Sequence, residues 1–118
     1  MTIPEALDRL SQSRFRGSFR LNAKMREIVQ SRGMEAMREF AAERVRKCLA
    51  PAEPMNDGRQ TPMKNHPVFL AQHATGTCCR GCLNRWWHVP KGVPLTETQQ
   101  AKIANLIVAW IERQMGLV

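Results

Sequence analysis

The sequence predicts a small, mainly α-helical single domain in which a long ordered central loop packs over a cysteine-bearing helix. Three observations point there. Apolar residues recur at helical spacing along Met34, Met37, Ala41, Val45 and Cys48, and again along Ile103, Leu106, Ile107, Trp110 and Ile111. Between these runs, residues 50–64 carry Pro51, Pro54, Pro62 and an Asp57-Gly58 step, which forbid a regular element. At 118 residues and 43% apolar content, the chain has the size of one domain with a modest core.

The elements follow in order. Residues 1–21 hold a short helix over 4–10 and then Arg14-Phe15-Arg16-Gly17-Ser18-Phe19-Arg20-Leu21. Arginine beside phenylalanine can hold a phosphate and stack a base. The plainer reading buries Phe15, Phe19 and Leu21 and leaves the arginines in water. Residues 22–49 read as two helices. Asn22 caps the first, Gly33 stops it, and the second runs over 34–49 with Glu43 and Lys47 paired on its exposed side. Cys48 then sits on the core stripe as a small hydrophobe, and is a ligand only if that helix meets the other cysteines.

Residues 50–77 form the loop and one short element. Loops of this length inside a compact domain are often functional, and Asp57, Arg59, Gln60 and Lys64 offer a polar lining. Asn65 caps a short helix with His66 and Pro67 in its first turn; a short strand through Val68-Phe69-Leu70-Ala71 is the alternative. After the break at Thr75-Gly76, Thr77 caps a helix over 78–88, which Pro90 ends. Thr96 and Gln99 make a capping box for the terminal helix over 96–115, and Gly116 closes it.

The chemistry gathers between His73 and His88. This stretch holds Cys78, Cys79 and Cys82, three of the four cysteines, with a histidine on either side. On a helix the three thiols would share one face. Two cysteines and two histidines are a common zinc set, so the candidate ligands are His73, Cys79, Cys82 and either Cys78 or His88. An iron–sulfur cluster on the three cysteines with a histidine or Cys48 is the second metal reading, placed behind zinc on ligand type. Two readings without metal remain. Cys78 or Cys79 at a helix N-terminus, beside Arg80 and with His73 as base, would be a nucleophile or redox thiol. Alternatively the cysteines are buried and inert.

Net charge is +8, and it is uneven: +5 over residues 1–49, +3 over 50–95 and zero over 96–118. Such a footprint suits nucleic acid or another polyanion, with Arg14, Arg16, Arg20, Arg80, Arg85 and Lys91 as contacts. Trp86 and Trp87 have two readings: both rings lie largely in the core, or one packs on the terminal helix beside Trp110 while the other stacks a base or covers the metal. No apolar run approaches the roughly 18–20 residues of a membrane span. No basic region followed by an apolar block opens the chain, so no signal peptide and a cytoplasmic location are expected. In a reducing compartment, clustered cysteines favour metal or redox roles over disulfides.

Several motifs carry a resemblance. They are Asn56-Asp57-Gly58-Arg59-Gln60-Thr61-Pro62-Met63, His66-Pro67-Val68-Phe69-Leu70-Ala71-Gln72-His73-Ala74-Thr75, Thr77-Cys78-Cys79-Arg80-Gly81-Cys82-Leu83 and Pro90-Lys91-Gly92. Together they resemble a bacterial, archaeal and phage family catalogued as domain of unknown function 4186. The likeness extends over nearly the whole chain. It departs where the family reads Lys-Trp-His and this chain has Arg85-Trp86-Trp87-His88. The resemblance implies a single compact domain and centres attention on residues 56–92; it supplies no activity.

Overall fold

The helix with the clearest sequence signature organises the molecule. In the computed structural model, which describes residues 1–117, α6 (Glu97–Gln114) begins at the expected capping box: Gln99 N donates to Thr96 Oγ1 at 3.1 Å, and Thr96 N donates to Gln99 Oε1 at 2.9 Å. Its stripe of Ile103, Leu106, Ile107, Trp110 and Ile111 is buried. Around it pack α1 (Ile3–Ser11), α3 (Met34–Arg44) and α4 (Pro67–Ala74). The remaining helices are α2 (Ala23–Arg32) and α5 (Arg80–Trp87), and no strand occurs among the described residues. The apolar side chains of these helices form one continuous core.

Several expectations hold at atomic detail. Asn22 Oδ1 accepts from Met25 N at 2.8 Å, and Gly33 separates α2 from α3. Leu21 is buried in the core. The strand alternative for Val68-Phe69-Leu70-Ala71 is resolved in favour of helix α4.

Other expectations shift, each for a physical reason. The helix expected over 34–49 is α-helical only to Arg44; Val45–Leu49 form a π turn in which Ala50 N donates to Val45 O at 2.8 Å. The wider turn rotates Cys48 off the core stripe, so that Leu49 is buried and Cys48 is only half-buried. The cap of α4 is His66 rather than Asn65: His66 Nδ1 accepts from Val68 N at 3.0 Å, and Pro67 follows as the first helical residue. The cap of α5 is Cys79 rather than Thr77, with Cys82 N donating to Cys79 Sγ at 3.4 Å. Thr77 is buried instead, its hydroxyl 2.9 Å from that of Thr75. The helix ends at Trp87, and His88 forms its left-handed C-cap at φ +58°.

The central loop is ordered by side chains that reach its backbone. Arg44 Nη2 donates to Gln60 O at 2.7 Å, and Gln60 Nε2 donates to Cys48 O at 3.2 Å and Asp57 Oδ1 at 2.9 Å. The loop closes over the start of α5, where Thr61 Oγ1 donates to Cys78 O at 2.8 Å and Asp57 Oδ1 accepts from Arg80 N at 3.0 Å. An acidic side chain at the first amides of a helix is the favourable sign for the helix dipole.

Candidate metal centre

Two glycines bring the site together. Gly76 links α4 to the cysteine segment at φ +68°, and any Cβ there would stand 2.9 Å from Cγ and Cδ1 of Trp86. A left-handed backbone in close contact with an indole leaves room only for glycine. Gly17 lies against the end of α1, where a Cβ would collide with the Ser11 carbonyl oxygen. That approach turns the chain through a 3₁₀ turn (Arg16–Ser18) and sends Arg16 inward.

The three sulfurs meet because Cys79 is the cap, Cys82 lies in the first turn and Cys78 precedes both. Their Sγ atoms all lie within 4.8 Å of one another, a group able to hold a metal ion. Cys78 is buried, while Cys79 and Cys82 are half-buried. Arg16 spans the group from behind. Its Nη2 donates to Cys82 Sγ at 3.1 Å, and its Nη1 donates to His73 O at 2.8 Å and Cys78 Sγ at 3.6 Å.

The electrostatics separate the thiols. The hydrogen bond from Cys78 is the largest of several that push the Cys82 pKa down; bonds from Cys79 and Arg16 and the Arg16 charge add to it and outweigh burial, bringing it to about 4. The same shared bond, with burial, pushes Cys78 up, and burial is the main cause raising Cys79. Burial alone would lower the Arg16 pKa, but its bonds to the Cys82 and Cys78 sulfurs carry it above the ordinary value. The result is one thiolate, at Cys82, held by a cation and two neighbouring thiols.

The other expected ligands stand apart from this group. His73 Nε2 lies 3.1 Å from both Thr61 O and Pro62 O, which can only accept, so that nitrogen carries the proton. The His73 ring stacks on Phe19 with centroids 5.8 Å apart. His88 is exposed at the far end of α5. Neither histidine, nor Cys48, joins the sulfur group.

The basic residues divide in the same way. Arg14, Arg20, Arg85 and Lys91 are exposed. Arg16 is committed to the sulfurs. Arg80, 1% exposed, donates to four carbonyl oxygens, those of Leu49, Pro51, Pro90 and Val93, at 2.7–3.3 Å. It ties the central loop to the segment after α5, so its guanidinium is turned away from solvent and from any external anion. Phe15, expected in the core, is 52% exposed, while Phe19 is half-buried. Trp87 packs on the core that contains Trp110 and donates to Thr75 O at 2.9 Å. Trp86 lies under the Arg9 guanidinium, 5.5 Å from the ring centroid. Arg9 and the inward role of Arg16 escaped the sequence; the only signal for Arg16 was its place among phenylalanines.

Fold and site together define an all-α, single-domain protein with a three-cysteine group positioned for a metal ion. The chain belongs to the family described as domain of unknown function (DUF4186), whose model matches residues 4–112. No solved structure matches it. Among the described residues, no helix is long and apolar enough to cross a membrane.

Proposed function

We propose that the protein binds zinc through Cys78, Cys79 and Cys82 and meets nucleic acid with its exposed basic residues. One observation carries the metal half: three sulfurs converge within 4.8 Å while a guanidinium donates to two of them. Thiolates at about 2.3 Å from zinc lie roughly 3.8 Å apart in a tetrahedron, so small side-chain rotations would complete the set. Three thiolates and one dication leave a net negative charge, which Arg16 offsets as an outer partner. The fourth position falls to a water or to a ligand atom. His73 Nε2 is held by two carbonyls and His88 caps the other end of α5. The exposed Arg14, Arg20, Arg85 and Lys91 support the nucleic-acid half.

The test is elemental analysis of protein purified under reducing conditions. About one zinc per chain is expected, lost in Cys79→Ser and Cys82→Ser variants that keep their helical circular dichroism. A folded, metal-free wild type would overturn the metal half. Iron with acid-labile sulfide would replace zinc with a cluster.

A second reading rests on Cys82 alone. Its lowered pKa and partial exposure suit a thiol-dependent enzyme or redox protein. The reactive thiol would then be Cys82, since Cys78 and Cys79 are shifted the opposite way. One fast-alkylating cysteine, indifferent to chelator, is the outcome that favours it over the metal.

A further inference from the structure

A cleft of about 390 Å³ opens between the end of α1, residues 13–16 and α5. Arg9, Arg16 and Arg85 line it, together with Ser13, Phe15 and Trp86. No carboxylate is among these residues. Neither Arg9 nor Arg85 forms an ion pair; those of the described residues are Lys47–Glu43 and Arg113–Asp8. The Arg16 guanidinium is taken up by the sulfurs, which leaves those of Arg9 and Arg85 to repel each other around the cleft, and an anion able to accept several N–H bonds relieves that repulsion. Phosphate matches that geometry best, because guanidinium forks pair with its oxygens two at a time.

The walls specify the rest of the ligand. Phe15 leaves half its surface in solvent although apolar core lies nearby, and it stands edge-to-face against Phe19 at 5.2 Å. Trp86 also lines the cleft, with the Arg9 guanidinium over its ring. Two aromatic walls beside a cationic cleft accept a planar, polarisable body as well as an anion. The volume lies within the roughly 300–1,000 Å³ usual for small-molecule sites. Arg9 and Trp86 also line a second cleft of about 530 Å³, with Trp87, Ile103, Leu106 and Lys102 and again without carboxylates.

We infer that the cleft around Arg9, Arg85, Phe15 and Trp86 binds a nucleoside phosphate, with the phosphate among the arginines and the base against the aromatic walls. The unit comes either from a free nucleotide or from a single strand whose next residue enters the adjoining cleft. This deepens the nucleic-acid half of the proposed function and rests on that reading; none of the three cysteines lines the cleft, and Arg16, which borders both sites, is left out of the proposed contacts.

The test titrates full-length protein purified under reducing conditions with adenosine monophosphate, single-stranded octathymidylate and inorganic phosphate, read by tryptophan fluorescence. Arg85→Glu should weaken the first two about tenfold or more, and Phe15→Ala should weaken them several-fold without changing inorganic phosphate. Arg46→Glu, the same charge change outside the cleft, should stay within about twofold. Tight mononucleotide binding supports the free-nucleotide source, and binding of the octamer alone supports the strand. Octamer binding lost equally in Arg85→Glu and Arg46→Glu overturns the cleft but leaves a general polyanion surface. Inorganic phosphate bound as tightly as the nucleotide, or an unchanged Phe15→Ala, overturns the aromatic half. No binding of either nucleotide probe overturns both the cleft and the nucleic-acid half. Zinc content of the same samples reports separately on the cysteines.

Discussion

Two arginine-centred regions flank the cysteine segment, and they differ in what meets the guanidinium. On one side Arg80 is surrounded by four neutral backbone oxygens, drawn from the end of the π turn, the central loop and the segment after α5. On the other, Arg16 faces two sulfurs and a single carbonyl. Both are buried. Carbonyls satisfy a guanidinium without needing its charge to balance anything, so the Arg80 region is a tie that closes the fold. Sulfurs that ionise or bind metal do need a counter-charge, so the Arg16 region is part of the chemistry. A buried cation is therefore informative through its partners rather than through its burial.

The largest expected effect comes from breaking the tie. Arg80→Ala would leave four carbonyls without their donor and open a void, costing about 3–5 kcal/mol in denaturant unfolding. A cost under about 1 kcal/mol would remove the distinction between the two regions. Arg16→Met is expected to cost less, about 1–2 kcal/mol, because fewer bonds are lost and the stem is kept. Its distinct signature is chemical: in metal-free protein, alkylation of Cys82 should require higher pH than in wild type. An unaltered alkylation profile would show that Arg16 serves structure alone, like Arg80.

A third comparison separates the regions by pH. Cys82 is depressed from an ordinary 9.0 to about 4, so between those values the unfolded chain holds a proton that the folded one has released. Metal-free stability should therefore fall as pH drops through that window, and Arg16→Met should make the slope shallower. His66 contributes separately. Burial, with the nearby Arg32 charge, lowers it from 6.5 to about 4, and its Nδ1 must stay unprotonated to cap α4. Its contribution is full above pH 6.5 and is lost as pH falls toward 4. Arg16→Met should leave that lower segment of the slope intact. A variant flat across the whole range would place the pH dependence in the sulfur region alone.

Much of the helical framework was legible in the sequence because its signals are local. Asn22, Thr96 with Gln99, and the periodic apolar stripe of α6 act within a few residues, and each appears where expected. The site was legible as a cluster of three cysteines but not as a geometry. The assignment of Thr77 as cap failed because its hydroxyl is used by Thr75 inside the core, leaving a sulfur to cap α5. The expected histidine ligands did not converge because the loop carbonyls of Thr61 and Pro62 hold His73, and His88 lies at the other end of α5. Both outcomes depend on segments that the local pattern does not see.

By itself, then, the sequence determined an all-helical domain, most of its helix boundaries and the residues from which a metal group can be drawn. The tertiary structure decided which side chains are chemical and which are structural. Arg16 meets Cys78 and Cys82 across 62 and 66 residues of chain, and Arg80 meets Leu49 across 31. Helix periodicity and capping are near-neighbour effects, whereas the partner of a buried charge is chosen only when distant segments pack together.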